Sequence, residues 1–156
     1  MALSLNQKAP SFYGTDQHGK EVSLEKLKGK KIILYFYPKD NTPTCTTEAC
    51  NLRDNYDLLQ QQGYVIIGVS ADTEKSHLKF SEKYELPFSL LSDLDLKIIK
   101  AYDAWGEKML YGRKYMGILR KTFIINKKGM IEEIIEKVES KNHTQQILGE
   151  NKSPKK

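Results

Sequence analysis

The segment KIILYFYPKDNTPTCTTEACNLRDNYDLLQQQGYVIIGVS, residues 31–70, decides how this chain folds. It opens with Lys31–Tyr37 and closes with Tyr64–Ser70, two short apolar runs rich in Ile, Val and aromatic residues. Runs of this length and character read as strands covered on both faces. Between them Thr42 is a good N-cap, Pro43 suits the first helical turn, Glu48 favours an early position near the positive end of the dipole, and Gly63 stands where the helix should stop. The segment therefore reads as strand, helix, strand, with the two strands parallel.

The same reading extends outward. Thr73 is expected to cap a helix running through Tyr84, Phe88–Leu91 to form a short strand, and Asp95–Tyr102 to be helical. Thr122–Asn126 and Met130–Val138 flank the turn-forming NKKG and predict an antiparallel hairpin, with a final helix from about Lys141 packed beside it. His18-Gly19 reads as a turn. Asp103–Gly117, with three glycines and several aromatics, is the least regular stretch and is expected to be a loop near the functional site. The sum is an α/β fold, a mixed sheet with flanking helices.

With 156 residues, 39% hydrophobic and 29% charged, the chain suits one domain over residues 1–149 with a real core, and a polar tail, 150–156, expected to be disordered. Net charge is +5, but Lys152, Lys155 and Lys156 lie in that tail. The remaining cations are interspersed with acids, so nucleic acid is not an expected partner. The N-terminus has neither a charged region nor a long apolar one, and no apolar run approaches bilayer length. A cytoplasmic protein, with no membrane partner, is expected.

Cys45 and Cys50 are the only cysteines, and in a reducing compartment such a pair is more often catalytic, metal-binding or incidental than structural. On a helix beginning near Thr44, Cys45, Ala49, Leu52, Tyr56 and Leu59 share one face, so Cys45 starts the buried stripe. Cys50 lies about 140° away, on the polar side with Asp54, Asp57 and Gln61. Free Cys is often an inert filler. A thiol in the first helical turn, however, faces unpaired backbone N–H groups and the positive end of the dipole, which favour thiolate. Reaction with a peroxide would also need donors where charge develops on the leaving oxygen; Thr42 and the amides around Cys45 are the local candidates.

These residues meet a known pattern. PKDNTPTCTTEAC places Pro38, Thr42 and Cys45 at the spacing Pro-x-x-x-Thr-x-x-Cys after the strand ILYFY, and resembles the peroxiredoxins. With Cys50 five residues after Cys45, and with KAPSFYGTDQHGKEVSL and YGRKYMGILRKTFIINKKG, the chain is similar to the bacterioferritin comigratory protein, or peroxiredoxin Q, subfamily from about Leu5 to Leu148. The resemblance implies a thioredoxin-like fold and a thiol peroxidase. It assigns Cys45 as peroxidatic and Cys50 as resolving cysteine, Thr42 as the hydroxyl that meets thiolate and peroxide, and Pro38 as the pocket's shield. It assigns Arg120 to orient peroxide and stabilise thiolate, and matches Glu48 to an acid common in the motif. Two departures are Thr44, where the subfamily usually has Gly, and Lys121, where it usually has Ser or another small residue. A β-branched side chain beside Cys45 bears on substrate size rather than on the reaction.

Rival readings fit less well. Thiol-disulfide oxidoreductases usually carry Cys-x-x-Cys, whereas four residues separate these cysteines. The surroundings of Cys45 do not match a glutathione-peroxidase-like motif. His18, His77 and His143 show no zinc spacing with the cysteines and read as solvated surface residues. A non-catalytic module gives no reason for Pro38, Thr42, Cys45, Cys50 and Arg120 to occur together. The expected cycle oxidises Cys45 with H2O2 or an organic hydroperoxide, closes a Cys45–Cys50 disulfide, and is reset by thioredoxin or a similar dithiol. It calls for no metal, haem or flavin, and works in a monomer. Five residues along a helix separate the two Cα atoms by about 8.7 Å, more than the roughly 7 Å a disulfide spans, so closure is expected to unwind the helix's first turns.

Overall fold

The computed structural model describes residues 3–149; the expected polar tail lies outside the described residues. The strands are β1 (Tyr13–Thr15), β2 (Glu21–Ser23), β3 (Lys31–Phe36), β4 (Tyr64–Ser70), β5 (Ser89–Ser92), β6 (Trp105–Leu110), β7 (Arg113–Ile118), β8 (Lys121–Ile125) and β9 (Ile131–Ile135). The α-helices are α1 (Pro43–Asp54), α2 (Tyr56–Gln61), α3 (Glu74–Tyr84), α4 (Lys97–Ala101) and α5 (His143–Leu148).

The central sheet has the order β5-β4-β3-β8-β9. Strands β3, β4 and β5 are parallel, linked by crossovers through α1–α2 and α3, and β8 and β9 complete the sheet antiparallel. Strand β3 has no polar alternation because both its faces are covered. Ile32, Leu34 and Phe36 join one core with Phe12, Tyr102 and Phe123. Ile33, Tyr35 and the following Tyr37 join the other, with Cys45, Ala49, Leu52, Leu59 and Phe80. Gly68 interrupts the apolar run of β4 because a Cβ there would lie 2.9 Å from both Leu90 Cδ2 and Tyr35 Cζ.

The sheet, the parallel strands, the Thr73-capped helix and the final hairpin match the sequence reading; Thr73 Oγ1 accepts a hydrogen bond from Ser76 N. The helix after β3 differs from the single unit expected up to Gly63. It breaks at Asn55, whose φ of −111° and ψ of 17° separate α1 from α2, and Asn55 Nδ2 donates back to Asn51 O at 2.8 Å. Asp103–Gly117 is also not a loop. Most of it forms an antiparallel ribbon, β6 with β7, turning at Tyr111 and Gly112, both with positive φ. The predicted His18-Gly19 turn joins a second small ribbon, β1 with β2.

Candidate active site

The site begins where β3 ends. Its register carries Tyr37 and Pro38 to the C-terminal edge of the sheet, and residues 38–42 turn the chain into α1. This turn is held from below. Tyr37 donates its hydroxyl to Asp40 Oδ1 at 2.6 Å, Ser76 Oγ donates to Asp40 Oδ2 at 2.8 Å, and His77 Nδ1 lies 2.7 Å from that same Oδ2. His77 Nε2 donates to Leu91 O at 3.0 Å, and Asp40 N donates to Asp72 Oδ2 at 2.8 Å. His77 is fully buried, which corrects its reading as a solvated residue. Asp40, Asp72 and His77 form the one metal-compatible cluster among the described residues, but both carboxylate oxygens of Asp40, both ring nitrogens of His77 and Asp72 Oδ2 already serve these bonds and one from Ser70 Oγ.

Helix α1 places Cys45 in its first turn, 2% exposed. Thr42 occupies the N-cap position in an extended conformation, yet no side chain caps the helix. The N–H groups of Thr44 and Cys45, which have no intrahelical carbonyl, thus remain available to an anion. The Thr42 hydroxyl donates to Lys39 O at 2.9 Å instead, which leaves its lone pairs open to accept a hydrogen bond from a hydroperoxide. Pro38 is half-buried and Thr44 is exposed. Lys121 points elsewhere: its Nζ donates to Asp103 O at 2.9 Å and lies 3.6 Å from Glu136.

Arg120, in the two-residue link between β7 and β8, makes the decisive contacts. Its Nη2 donates to Cys45 Sγ at 3.2 Å and its Nη1 to Glu48 Oε1 at 2.7 Å. One guanidinium therefore spans the sulfur and the carboxyl, the fork geometry that Lys cannot reproduce. Burial opposes its charge, but Glu48 and Cys45 outweigh burial and hold Arg120 above its ordinary pKa. Glu48 is fully buried, deeper than its early helical position led one to expect. Its spacing from Cys45 and Leu52 puts it on the buried stripe, a signal present in the sequence. Burial pushes its pKa up to about 7, against the pull of Arg120.

Two residues that the sequence did not assign to the site approach this group. Lys108 of β6 donates to Ile118 O at 2.9 Å, and its pKa is lowered first by burial and then by the charge of Arg120. His143, read as solvated, is fully buried; its Nε2 lies 2.8 Å from Thr122 Oγ1 and 3.4 Å from Glu48 Oε2. The structure thus brings Cys45, Arg120 and Glu48 into direct contact, and places Thr42 and Pro38 on the turn leading to them. Cys50 sits half-buried on the far side of α1 in a shallow recess with Thr46, Thr47, Asn51, Asp54 and Lys141. Burial raises its thiol pKa. Both cysteines are free.

A thiol at a helix start beside a sheet's C-terminal edge, with an arginine on its sulfur, defines a thiol redox enzyme of thioredoxin-like fold. The comparisons with known proteins narrow the class. The model of the AhpC/TSA family matches residues 5–134. Peroxiredoxin Bcp of Bacillus subtilis is 47% identical over 148 residues, covering 95% of this chain and 94% of that one. A putative peroxiredoxin bcp of Coxiella burnetii is 45% identical over 149 residues, covering 96% and 99%. Among solved structures, the bacterioferritin comigratory protein of Xanthomonas campestris superposes with a TM-score of 0.86 at 32% identity, covering 94% and 96%. A cysteine-to-serine mutant of Xylella fastidiosa PrxQ gives 0.89 at 29% identity, covering 96% of each chain. This chain belongs to the AhpC/TSA family, within its Bcp/peroxiredoxin Q branch, and is a thiol peroxidase.

Proposed function

We propose that Cys45 is the peroxidatic cysteine and Cys50 its resolving partner, and the observation that carries this is the Arg120 bridge from Glu48 to Cys45 Sγ. A hydroperoxide seated above the first turn of α1 meets the thiolate with its outer oxygen. The sulfur forms an S–O bond, the O–O bond breaks, and the departing oxygen takes a proton to leave as water or alcohol. Arg120 and the free N–H groups of the turn face the charge that develops on that oxygen. Thr42 accepts from the hydroperoxide O–H, and Pro38 walls the turn.

Cys50 then attacks the sulfenic sulfur, releasing water and closing the disulfide, and an external dithiol takes the two electrons back out by exchange. Thioredoxin or a similar protein dithiol is the reductant we assign, in a reducing compartment such as the cytoplasm. Both cysteines lie on α1, so a monomer completes the cycle. The alkyl peroxide reduction recorded for the Xanthomonas campestris relative supports organic hydroperoxides as substrates beside H2O2. Among the described residues no helix is long and apolar enough to cross a membrane.

The test is steady-state consumption of H2O2 and of an alkyl hydroperoxide with excess dithiothreitol. Cys45→Ser should abolish both activities, and retention of either would place the reaction elsewhere.

A further inference from the structure

Behind Arg120 lies a buried polar chain that the peroxidase cycle does not use. Glu48 Oε1 receives the hydrogen bond from Arg120, but Oε2 is buried without a hydrogen-bond partner and faces His143 Nε2 at 3.4 Å. His143 opens α5, more than twenty residues beyond Arg120 in the chain, and neither it nor Glu48 has solvent access.

The ring's proton can be located from its partners. The Gln146 side-chain amide is oriented by the backbone: Glu139 N donates to its Oε1 at 2.8 Å, and its Nε2 donates to Lys137 O at 2.9 Å. Oε1 is therefore an acceptor, and His143 Nδ1, 2.9 Å away, must be the donor. The neutral ring then accepts at Nε2 from the Thr122 hydroxyl at 2.8 Å and presents no N–H to Glu48 Oε2. A carboxylate leaves Oε2 without a donor, which is costly in a buried site. A carboxyl protonated at Oε2 carries no charge there, and burying a neutral group costs less than burying an unpaired charge.

We propose that His143 is a positioning residue for the peroxide site: with its proton held on Nδ1 it withholds a donor from Glu48 Oε2 and so favours the protonated form, and Glu48 alternates between gripping Arg120 as a carboxylate and relaxing that grip as an acid. The proposal rests on Arg120 serving Cys45. Protonating Glu48 removes the negative charge that attracts the guanidinium, which loosens the grip and leaves Arg120 to the sulfur and the incoming peroxide. Burial displaces both groups toward neutrality, Glu48 up to about 7 and His143 down to about 4. The pair is thus no ion pair near neutral pH. The other groups facing it are Arg120, Cys45 beyond Arg120, Thr122 of β8, and Tyr35 of β3. Burial, then the charges of Glu48 and Cys45, keep Tyr35 protonated.

The test uses the full chain with 13C-labelled glutamate, reading the Glu48 carboxyl by NMR from pH 5 to 9, beside the single-turnover rate of Cys45 with H2O2 over the same range. The wild type should show an inflection near pH 7 in the Glu48 signal and an inflection at that same pH in the rate. Glu48→Gln, which stands in for the acid, should lose it from the rate profile. In His143→Gln the amide N–H can donate to Oε2 and favour the carboxylate. The inflection should then fall by roughly one pH unit or more, a tenfold or larger change in the ionisation constant.

An unmoved Glu48 titration in His143→Gln overturns the proposal, and so does a shifted titration with an unchanged rate profile. If His143→Gln does not fold, the 15N spectrum of wild-type His143 decides, since a proton on Nε2 in place of Nδ1 overturns it. Loss of the peroxidase reading itself would show separately, as full activity in Cys45→Ser.

Discussion

Glu48→Gln should change stability in a way that depends on pH, and the buried pair sets its size and sign. Folding raises the Glu48 pKa from 4.5 to about 7 and lowers that of His143 from 6.5 to about 4. Over most of the window from 4.5 to 6.5 the unfolded chain holds the proton on the imidazole, and the folded chain holds it on the carboxyl. Both states bind the same number, so the two linkages cancel and the pair adds no slope in that window. Glu48 alone, its pKa raised on folding, contributes stability that is present below 4.5 and lost as pH rises to 7. His143 alone, its pKa lowered, contributes stability that is present above 6.5 and lost as pH falls to 4. Each displacement corresponds to about 3 kcal/mol at roughly 1.36 kcal/mol per pH unit.

Gln removes the first linkage and leaves the second. The stability difference, Glu48→Gln minus wild type, should therefore grow by about 3 kcal/mol between pH 4.5 and 7 and then level off. Within the variant itself the exposed His143 linkage should make stability rise from pH 4 to 6.5. Urea unfolding of both reduced proteins at intervals from pH 4 to 8, with unchanged m-values, reads this directly. A difference that does not vary with pH would refute the burial argument for Glu48.

Other outcomes follow from named contacts. Arg120→Lys leaves a single ammonium that cannot hold both Glu48 Oε1 and Cys45 Sγ, so single-turnover peroxide reduction should slow about 10²-fold, a scale set by loss of one charge-stabilising donor; an unchanged rate would remove Arg120 from the mechanism. Disulfide closure should cost the α1 amides their protection from hydrogen exchange, since Cys45 and Cys50 share that helix and stand about 8.7 Å apart in it; equal protection in both redox forms would contradict unwinding. Asn51 ties α1 to the C-terminal segment, its Nδ2 donating to Lys141 O and its Oδ1 accepting from Thr144 N, both at 2.8 Å. Asn51→Ala should cost roughly 1–2 kcal/mol and quicken closure of the disulfide, measured by stopped-flow after a peroxide pulse.

Much of this architecture was legible because it rests on local signals. The apolar runs of β3 and β4, Pro43 after Thr42, and NKKG between β8 and β9 each announce an element within a few residues. The misread parts lack such signals. Strands β6 and β7 are largely exposed along their length, so no core-facing alternation separates them from a loop. The break at Asn55 was hidden because Tyr56 and Leu59 continue the same apolar stripe across it. His77 and His143 looked solvated since their partners, Asp40 and Thr122, lie 37 and 21 residues away, and a lone histidine carries no periodicity. At the site, the spacing around Cys45 pointed to thiol chemistry, and the resemblance supplied Arg120. Only the fold shows that Arg120 reaches the sulfur and the acid together, and that the Thr42 hydroxyl donates to Lys39.

The most direct measurement of the central claim is the intact mass of the reduced protein after one equivalent of H2O2, for wild type and for Cys50→Ser. The wild type should lose two hydrogens as Cys45 and Cys50 join, and Cys50→Ser should gain one oxygen on Cys45 that dimedone traps. A wild type that retains both thiols while consuming peroxide, or a Cys50→Ser protein with no oxygen on Cys45, would contradict it.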